Sequence, residues 1–77
     1  MPKPLRSKRH KLLRALLKEA RLKAGLTQEE VAVLLGYPQS YIAKIEGGER
    51  RLEVVEFIAL CEVIEVEPAA VIKKILN

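Results

Sequence analysis

Glycine divides this chain into helical segments, and the two segments between Gly25 and Gly48 are too short to be stable on their own. Gly25, Gly36 and the pair Gly47-Gly48 each follow a stretch in which apolar residues recur at helical spacing. The stretch between Gly25 and Gly36 allows barely two turns, and isolated helices shorter than about 12–15 residues are marginal in water. These segments must therefore be held rigid by packing against one another.

The spacing of apolar residues predicts an all-α fold of five helices joined by short turns. Ser7 is placed to cap the first helix, and Thr27 and Glu30 form a capping box at the start of the second. Pro38 is expected at the first position of the third helix. The predicted helices cover roughly residues 8–24, 28–35, 38–46, 53–64 and 68–76.

The 77 residues are enough for one small domain, predicted over residues 8–77 after a flexible basic arm at residues 1–7. Cys61 is the only cysteine and His10 the only histidine, which excludes an internal disulfide and a four-ligand zinc site. We predict no metal and no cofactor. No apolar run approaches the roughly 18–20 residues that span a bilayer, and a free thiol suits a reducing compartment. The chain is expected to be cytoplasmic.

Charge is distributed unevenly along the chain. Residues 1–51 hold six Lys and six Arg against five Glu, whereas residues 52–77 hold two Lys against five Glu. A basic N-terminal two-thirds indicates a polyanionic partner, and the acidic remainder argues against uniform adhesion to anions. Charge alone leaves both nucleic acid and an anionic membrane surface open as partners.

The second and third predicted helices form the most informative pair. Ala32 is small where the helices should cross, Gly36 permits a left-handed turn, and Ile42 is expected to pack inward. The outward face of the third helix is then polar and free of acidic residues, as suits reading of base edges in the major groove. The residues predicted to contact bases are Gln39, Ser40, Ala43 and Lys44.

The segments T-Q-E-E-V-A-V-L-L-G at residues 27–36 and I-A-K-I-E-G-G at residues 42–48 resemble the lambda-repressor-like, Cro-type helix-turn-helix family. The resemblance covers roughly residues 12–66, with five residues at the family spacing: Gln28, Ala32, Gly36, Ile42 and Glu46. It implies a compact five-helix DNA-binding domain whose helix-turn-helix occupies about residues 27–46. Pro38 departs from the family, where Ser or Thr usually caps the third helix.

The resemblance also implies roles for individual residues outside the base-reading face. A structural ion pair is expected between Arg21 and Glu46, beneath the third helix. Tyr41 is bulkier than the residue common at its position, and we assign it to the DNA backbone. The residues expected to contact phosphate are Gln28, Tyr41, Arg50 and Arg51.

The C-terminal third contains more apolar residues than one small core needs. The fourth helix is expected to bury a stripe that includes Val54 and Phe57 and to carry a second apolar stripe on its opposite side. This surplus predicts a two-fold homodimer built on residues 53–76, although helices one and five could instead cover it within the monomer. The predicted interface residues are Val55, Ala59, Val63, Val71 and Ile75.

Together these patterns predict a double-stranded DNA-binding transcription regulator, a repressor or a controller protein, with residues 38–46 in the major groove. An enzyme is not expected, because the chain has no Asp, one His and no glycine-rich phosphate loop. No small-molecule substrate and no membrane partner is evident. The alternative is an antitoxin-like or protein-interaction module for which DNA binding is secondary.

Overall fold

Five α-helices follow one another in residues 7–77, the part of the chain that this computed structural model describes. They are α1 (Lys8–Lys23), α2 (Gln28–Leu35), α3 (Gln39–Gly47), α4 (Val54–Val63) and α5 (Pro68–Leu76). No strand occurs within these residues, so the predicted all-α, five-helix fold is confirmed. Residues 1–6 of the predicted N-terminal arm lie outside the described part.

The first two helices begin where side chains can accept their unpaired N–H groups. The Ser7 hydroxyl accepts from the His10 N–H at 3.0 Å. In the capping box of α2, Thr27 Oγ1 accepts from the Glu30 N–H at 3.1 Å, and Glu30 Oε1 accepts from the Thr27 N–H at 2.9 Å. Each bond satisfies a donor that the helix itself leaves unpaired.

Pro38 lies one position earlier than predicted, at the N-cap of α3 rather than at its first helical residue. Its φ of −64° would suit a helix, but its ψ of 151° is extended, and no side chain caps this helix end. The Pro38 carbonyl accepts the Tyr41 N–H at 3.0 Å, which closes the first turn. Gln39 is therefore the first residue of α3, at the open end of the helix.

The core lies where α3 packs on α1 and α2, with α4 against α2 and α5 against α1. Its most deeply buried large side chains are Leu17, Val31, Ile42 and Cys61. Burial of these apolar groups supplies most of the stabilisation available to helices of eight to ten residues. Within the described residues no helix is long and apolar enough to cross a membrane.

The structure corrects the predicted inner stripe of α4 at one position. Val54 is 70 % exposed, and the core side of the helix is formed by Phe57, Leu60 and Cys61. Side chains lean toward the N-terminus of their helix, so the first residue of α4 projects past the helix end and not over its middle. The first turn of α4 is therefore an exposed apolar surface.

The proposed dimer residues divide into two groups. Val71 is only 3 % exposed within the single chain, where it belongs to the core, so it is not available for a dimer interface. Val63 and Ile75 are partly buried and pack against the same core. Val55 is 69 % exposed, and Ala59 is half-buried. Packing of α5 on α1 and α4 thus covers part of the apolar surplus, whereas the monomer alternative expected helices one and five to cover all of it.

Candidate nucleic-acid interface

Helices α2 and α3 are locked together through small residues and one left-handed turn. Ala32 is 1 % exposed, and its carbonyl accepts the Tyr37 N–H at 2.9 Å across the turn. Gly36 ends α2 with a φ of 77°, a conformation that L side chains rarely adopt. Ile42 is 1 % exposed and packs inward from α3. The crossing therefore presents the opposite side of α3 to solvent on a rigid base.

A buried ion pair joins α1 to the C-terminal part of α3. Arg21 is 7 % exposed, and its Nε and Nη2 lie 2.7 Å and 3.1 Å from Oε2 and Oε1 of Glu46. The Arg21 Nη1 also donates to the Leu26 carbonyl at 2.8 Å. The planar guanidinium matches the carboxylate at two points, an arrangement that fixes orientation as well as distance.

Two glutamine amides extend this ion pair to the surface. Gln28 Nε2 donates to Glu46 Oε1 at 3.0 Å, and Gln39 Nε2 donates to Gln28 Oε1 at 3.1 Å. A carboxylate only accepts hydrogen bonds, so Gln28 must turn its nitrogen toward Glu46 and its oxygen toward Gln39. The direction of donation along this series of hydrogen bonds is thereby fixed, from Gln39 through Gln28 to Glu46. The Gln39 Oε1 atom is left to accept from a donor outside the protein.

The predicted base-reading residues mostly lie on the exposed side of α3. Gln39, Ser40 and Lys44 are exposed, and Ala43 is half-buried beside them. Ser40 and Lys44 line a groove that continues to Arg50 and Arg51 in the following loop. The structure therefore brings this part of the predicted site together in one surface.

Tyr41 also lines this groove, although most of the residue is buried. It is 9 % exposed, and its ring stacks on Tyr37 with centroids 4.2 Å apart and an interplanar angle of 19°. Burial and the neighbouring Glu56 carboxylate raise the pKa of Tyr41 to about 12. This burial argues against the predicted phosphate contact, because the ring serves instead as a packing surface between α3 and the loop that follows it.

The two arginines of that loop differ in their surroundings. Arg50 Nη2 lies 2.9 Å from Glu56 Oε2, and its guanidinium carbon lies 4.7 Å above the Tyr41 ring. Arg51 is exposed and forms no ion pair or hydrogen bond with another residue of the described part of the chain. Only Arg51 therefore presents an uncompensated guanidinium at this end of the groove.

Sequence reasoning missed Arg14, a residue of α1 whose side chain reaches the C-terminal end of α3. Arg14 Nη1 donates to the Glu46 carbonyl at 3.3 Å, where a cation also interacts favourably with the helix dipole. Gly48 follows with a φ of 79°, and a Cβ added there would lie 2.5 Å from Arg14 Nη1. The sequence signal for this contact was Gly48, because a residue without a Cβ leaves the space that the Arg14 side chain occupies.

Titratable side chains do not gather into a metal site within residues 7–77, where no group of three His, Cys or Glu could hold an ion. Burial raises the pKa of the Cys61 thiol to about 11, which keeps it protonated and unreactive at neutral pH. The chemistry that this surface offers is hydrogen bonding and positive charge.

A short helix pair with a left-handed glycine turn, and a polar outward face on the second helix, defines a helix-turn-helix unit. The sequence profile of a family described as "Helix-turn-helix domain" matches residues 12–71. The chain belongs to this family, and specifically to its Cro-type DNA-binding proteins, which confirms the resemblance drawn from the sequence.

Solved structures agree with this assignment. An XRE-family like protein from Pseudomonas syringae pv. tomato str. DC3000 is 48 % identical, with a TM-score of 0.84 over 87 % of this chain and 82 % of that one. The restriction-modification controller protein C.AhdI from Aeromonas hydrophila is 31 % identical, with a TM-score of 0.73 over 80 % of this chain and 94 % of that one. The comparison with curated proteins finds no match.

A third solved structure contains nucleic acid. The restriction-modification controller protein C.Esp1396I is 28 % identical, with a TM-score of 0.77 over 92 % of this chain and 99 % of that one. It was crystallised as a tetramer in complex with its natural 35 base-pair operator. Fold and relatives together make this chain a DNA-binding helix-turn-helix regulator of the XRE or controller type.

Proposed function

We propose that this protein is a transcription regulator, a repressor or a controller protein, that binds specific double-stranded DNA as a homodimer with α3 in the major groove. The observation that carries this proposal is the outward face of α3, which is exposed, polar and free of acidic side chains, with Gln39, Ser40 and Lys44 in one surface. It stands on a base fixed by the Arg21–Glu46 ion pair.

The side chains of this face have distinct uses. Gln39 can form the paired contact that adenine offers in the major groove, because its Oε1 can accept from the adenine amino group. Lys44 can donate to the guanine acceptors, and the half-buried Ala43 can offer its methyl group to a thymine methyl. Direct reading of a few bases by these groups makes the proposed binding sequence-specific.

Phosphate contacts would hold α3 in register. Arg51 offers an uncompensated guanidinium beside the groove that Ser40 and Lys44 line. Gln28 keeps a second N–H on Nε2 after its bond to Glu46, and the residue remains partly exposed. These donors suit contacts to the DNA backbone that position the protein without reading sequence.

The exposed apolar residues of α4 and α5 support a homodimer. On α4, Val54, Val55 and Ile58 are 70 %, 69 % and 43 % exposed, and on α5 Ile72 and Leu76 are 48 % and 64 % exposed. Val54 and Ile58 on α4, and Ile72 and Leu76 on α5, lie four residues apart and so form an apolar patch on each helix, and exposed apolar patches are typical of a protein interface. A two-fold dimer would place two copies of α3 about 34 Å apart, the spacing of successive major grooves on one side of B-DNA.

Selection from a randomised duplex library at about 150 mM salt tests the DNA-binding proposal, since phosphate binding alone weakens steeply at such concentrations. The wild type should recover a palindrome with half-sites about one helical turn apart. The Gln39→Ala/Lys44→Ala variant should lose or relax it, whereas the Lys18→Ala control, which removes one charge from an exposed position on α1, should retain it. Retention without any motif, equal in all three proteins, would overturn the proposal.

Sedimentation tests the homodimer separately. Val55→Glu places a charge in the exposed apolar surface of α4 and should convert the dimer to a monomer at tens of micromolar protein. Val33→Glu is the matched control, because Val33 is 72 % exposed and belongs to α2, which is not one of the helices of the proposed interface. A monomeric wild type, or a dimer that Val55→Glu leaves intact, would exclude this interface.

A further inference from the structure

Two adjacent arginines end the groove beside α3, but only one of them has a counter-ion. Arg50 pairs with Glu56 at 2.9 Å, with 43 % of the Arg50 side chain and 15 % of the Glu56 side chain exposed. Arg51 is exposed and has no such partner within the described part of the chain. The positive charge of the Arg50 guanidinium is thus already paired with a carboxylate in the DNA-free protein.

The Glu56 carboxylate is held in place by its own helix. Its Oε1 accepts the Glu53 N–H at 3.0 Å, as half of the capping box that begins α4. Because this bond ties the carboxylate to the first turn of α4, Glu56 cannot follow Arg50 if that side chain turns outward. A new partner for Arg50 must therefore replace the carboxylate.

The place of Arg50 makes a phosphate the natural competitor. Arg50 lines the same groove as Ser40, Lys44 and Arg51, next to the residues proposed to read bases. An exposed ion pair is weak enough to be exchanged, and an arginine can bind a phosphate through two parallel N–H groups. The DNA backbone is thus able to take Arg50 from Glu56.

We propose that Glu56 withholds the charge of Arg50 in the free protein and that a DNA phosphate must displace it. This inference rests on the proposed DNA-binding function and adds a control on its strength. Because the contact is to the backbone, Glu56 lowers the affinity for every duplex and not only for the specific site. A groove lined by Lys44, Arg50 and Arg51 is thereby kept from binding DNA indiscriminately.

Glu56→Gln isolates the charge of this group. Glutamine also serves at the third position of a capping box, so the bond from the Glu53 N–H is retained through the amide oxygen. The amide nitrogen then faces Arg50 and cannot accept from it. Thermal unfolding checks that the helix is intact, and Arg50→Ala and the double variant complete the set.

A second acidic residue of the groove provides the matched control. Glu49 lines the same groove and forms no ion pair within residues 7–77, so Glu49→Gln removes an equal charge without releasing Arg50. The readout is the affinity for a 20-base-pair duplex between 50 and 200 mM NaCl, measured by fluorescence anisotropy. Because Arg50 reaches a phosphate in the wild-type complex as well, Glu56→Gln changes the cost of freeing Arg50 and not the number of phosphate contacts, so the affinity should change at every salt concentration while the slope of log K against log salt stays the same.

We expect Glu56→Gln to bind the duplex about two- to fivefold more tightly than the wild type at each salt concentration, because the exposed ion pair no longer has to be broken. In the Arg50→Ala background the same substitution should give only the smaller gain of Glu49→Gln, which removes an equal charge without releasing Arg50. A gain no larger than that of Glu49→Gln, an equal gain in the Arg50→Ala background, or weaker binding at 50 mM salt would overturn the inference while the proposed function stands. A wild type that binds no duplex would overturn both.

Discussion

The Arg21 guanidinium of α1 donates two hydrogen bonds to the Glu46 carboxylate of α3, with N···O distances of 2.7 Å and 3.1 Å. Both side chains are more than nine-tenths buried. Charges removed from water in this way stabilise a fold only while both partners are present, because either one alone keeps its desolvation cost without the attraction. The pair therefore fixes the orientation of α3, and loss of either partner should destabilise the fold.

Glu46→Ala should lower the free energy of unfolding by about 3–5 kcal/mol, because it strands the buried Arg21 charge. Urea unfolding followed by circular dichroism measures the loss. Arg21→Met/Glu46→Leu should recover part of it, since no unpaired charge remains. Lys23→Ala, which breaks the exposed Lys23–Glu19 pair, should leave the midpoint unchanged. Equal midpoints for Glu46→Ala and Lys23→Ala would contradict the structural role of Arg21 and Glu46.

Gly48→Ala should lower the stability of the fold more than the position of Gly48 near the surface indicates. The left-handed backbone at φ 79° alone costs an alanine about 1–2 kcal/mol. The added Cβ also meets Arg14 Nη1, which must give up its bond to the Glu46 carbonyl. The neighbouring Gly47 is helical with nothing within 4 Å of an added Cβ, so Gly47→Ala should instead stabilise by about 0.5–1 kcal/mol. Thermal denaturation of the two variants, with opposite shifts expected, decides this.

Alkaline pH should unfold the protein partly through Tyr41. Its pKa is about 12 in the folded protein against an ordinary value of 10.0. Between these values the unfolded chain loses the phenol proton while the folded protein keeps it, so the free energy of unfolding falls as pH rises. Tyr41→Phe retains the ring and removes this titration, so its melting temperature should fall less steeply above pH 10. Parallel curves for the two proteins would show that Tyr41 does not contribute.

The raised pKa of Cys61, about 11 against 9.0, acts in the same direction at somewhat lower pH. It is present in both the wild type and Tyr41→Phe, so the difference between their curves isolates the phenol. Both groups contribute stability that is fully present at neutral pH.

Gln28→Ala should loosen base selection without a comparable loss of stability, because it breaks the amide chain from Glu46 to Gln39 but leaves the ion pair in place. A paired contact from Gln39 is worth about 1–3 kcal/mol of discrimination at one base pair. Gln28→Ala should lose part of that preference, and Gln39→Ala all of it. Binding to duplexes that differ at one base pair measures the effect, and Gln28→Ala should add nothing to Gln39→Ala. Full discrimination in Gln28→Ala would rule out this support.

Local residue chemistry was enough to predict much of the fold. The capping box of Thr27 and Glu30 and the left-handed Gly36 involve residues within one or two turns of each other, so the order of side chains specifies them. The pairing of Arg21 with Glu46 came from the family resemblance, and the structure brings the two side chains together. Residue spacing by itself did not indicate that contact.

Helical periodicity indicates which residues share a face, but not what covers that face. Val54 was predicted to be buried but is exposed, and Val71 was predicted to lie in a dimer interface but is buried in the core. Both outcomes depend on where α4 and α5 end against the other helices. The same holds for Arg50, whose partner Glu56 lies on a different helix and was not foreseen. Helix boundaries and the polar face of α3 thus follow from neighbours along the chain. Helix packing alone decides which apolar residues remain exposed and which cations are free, because it brings together side chains that are distant in sequence.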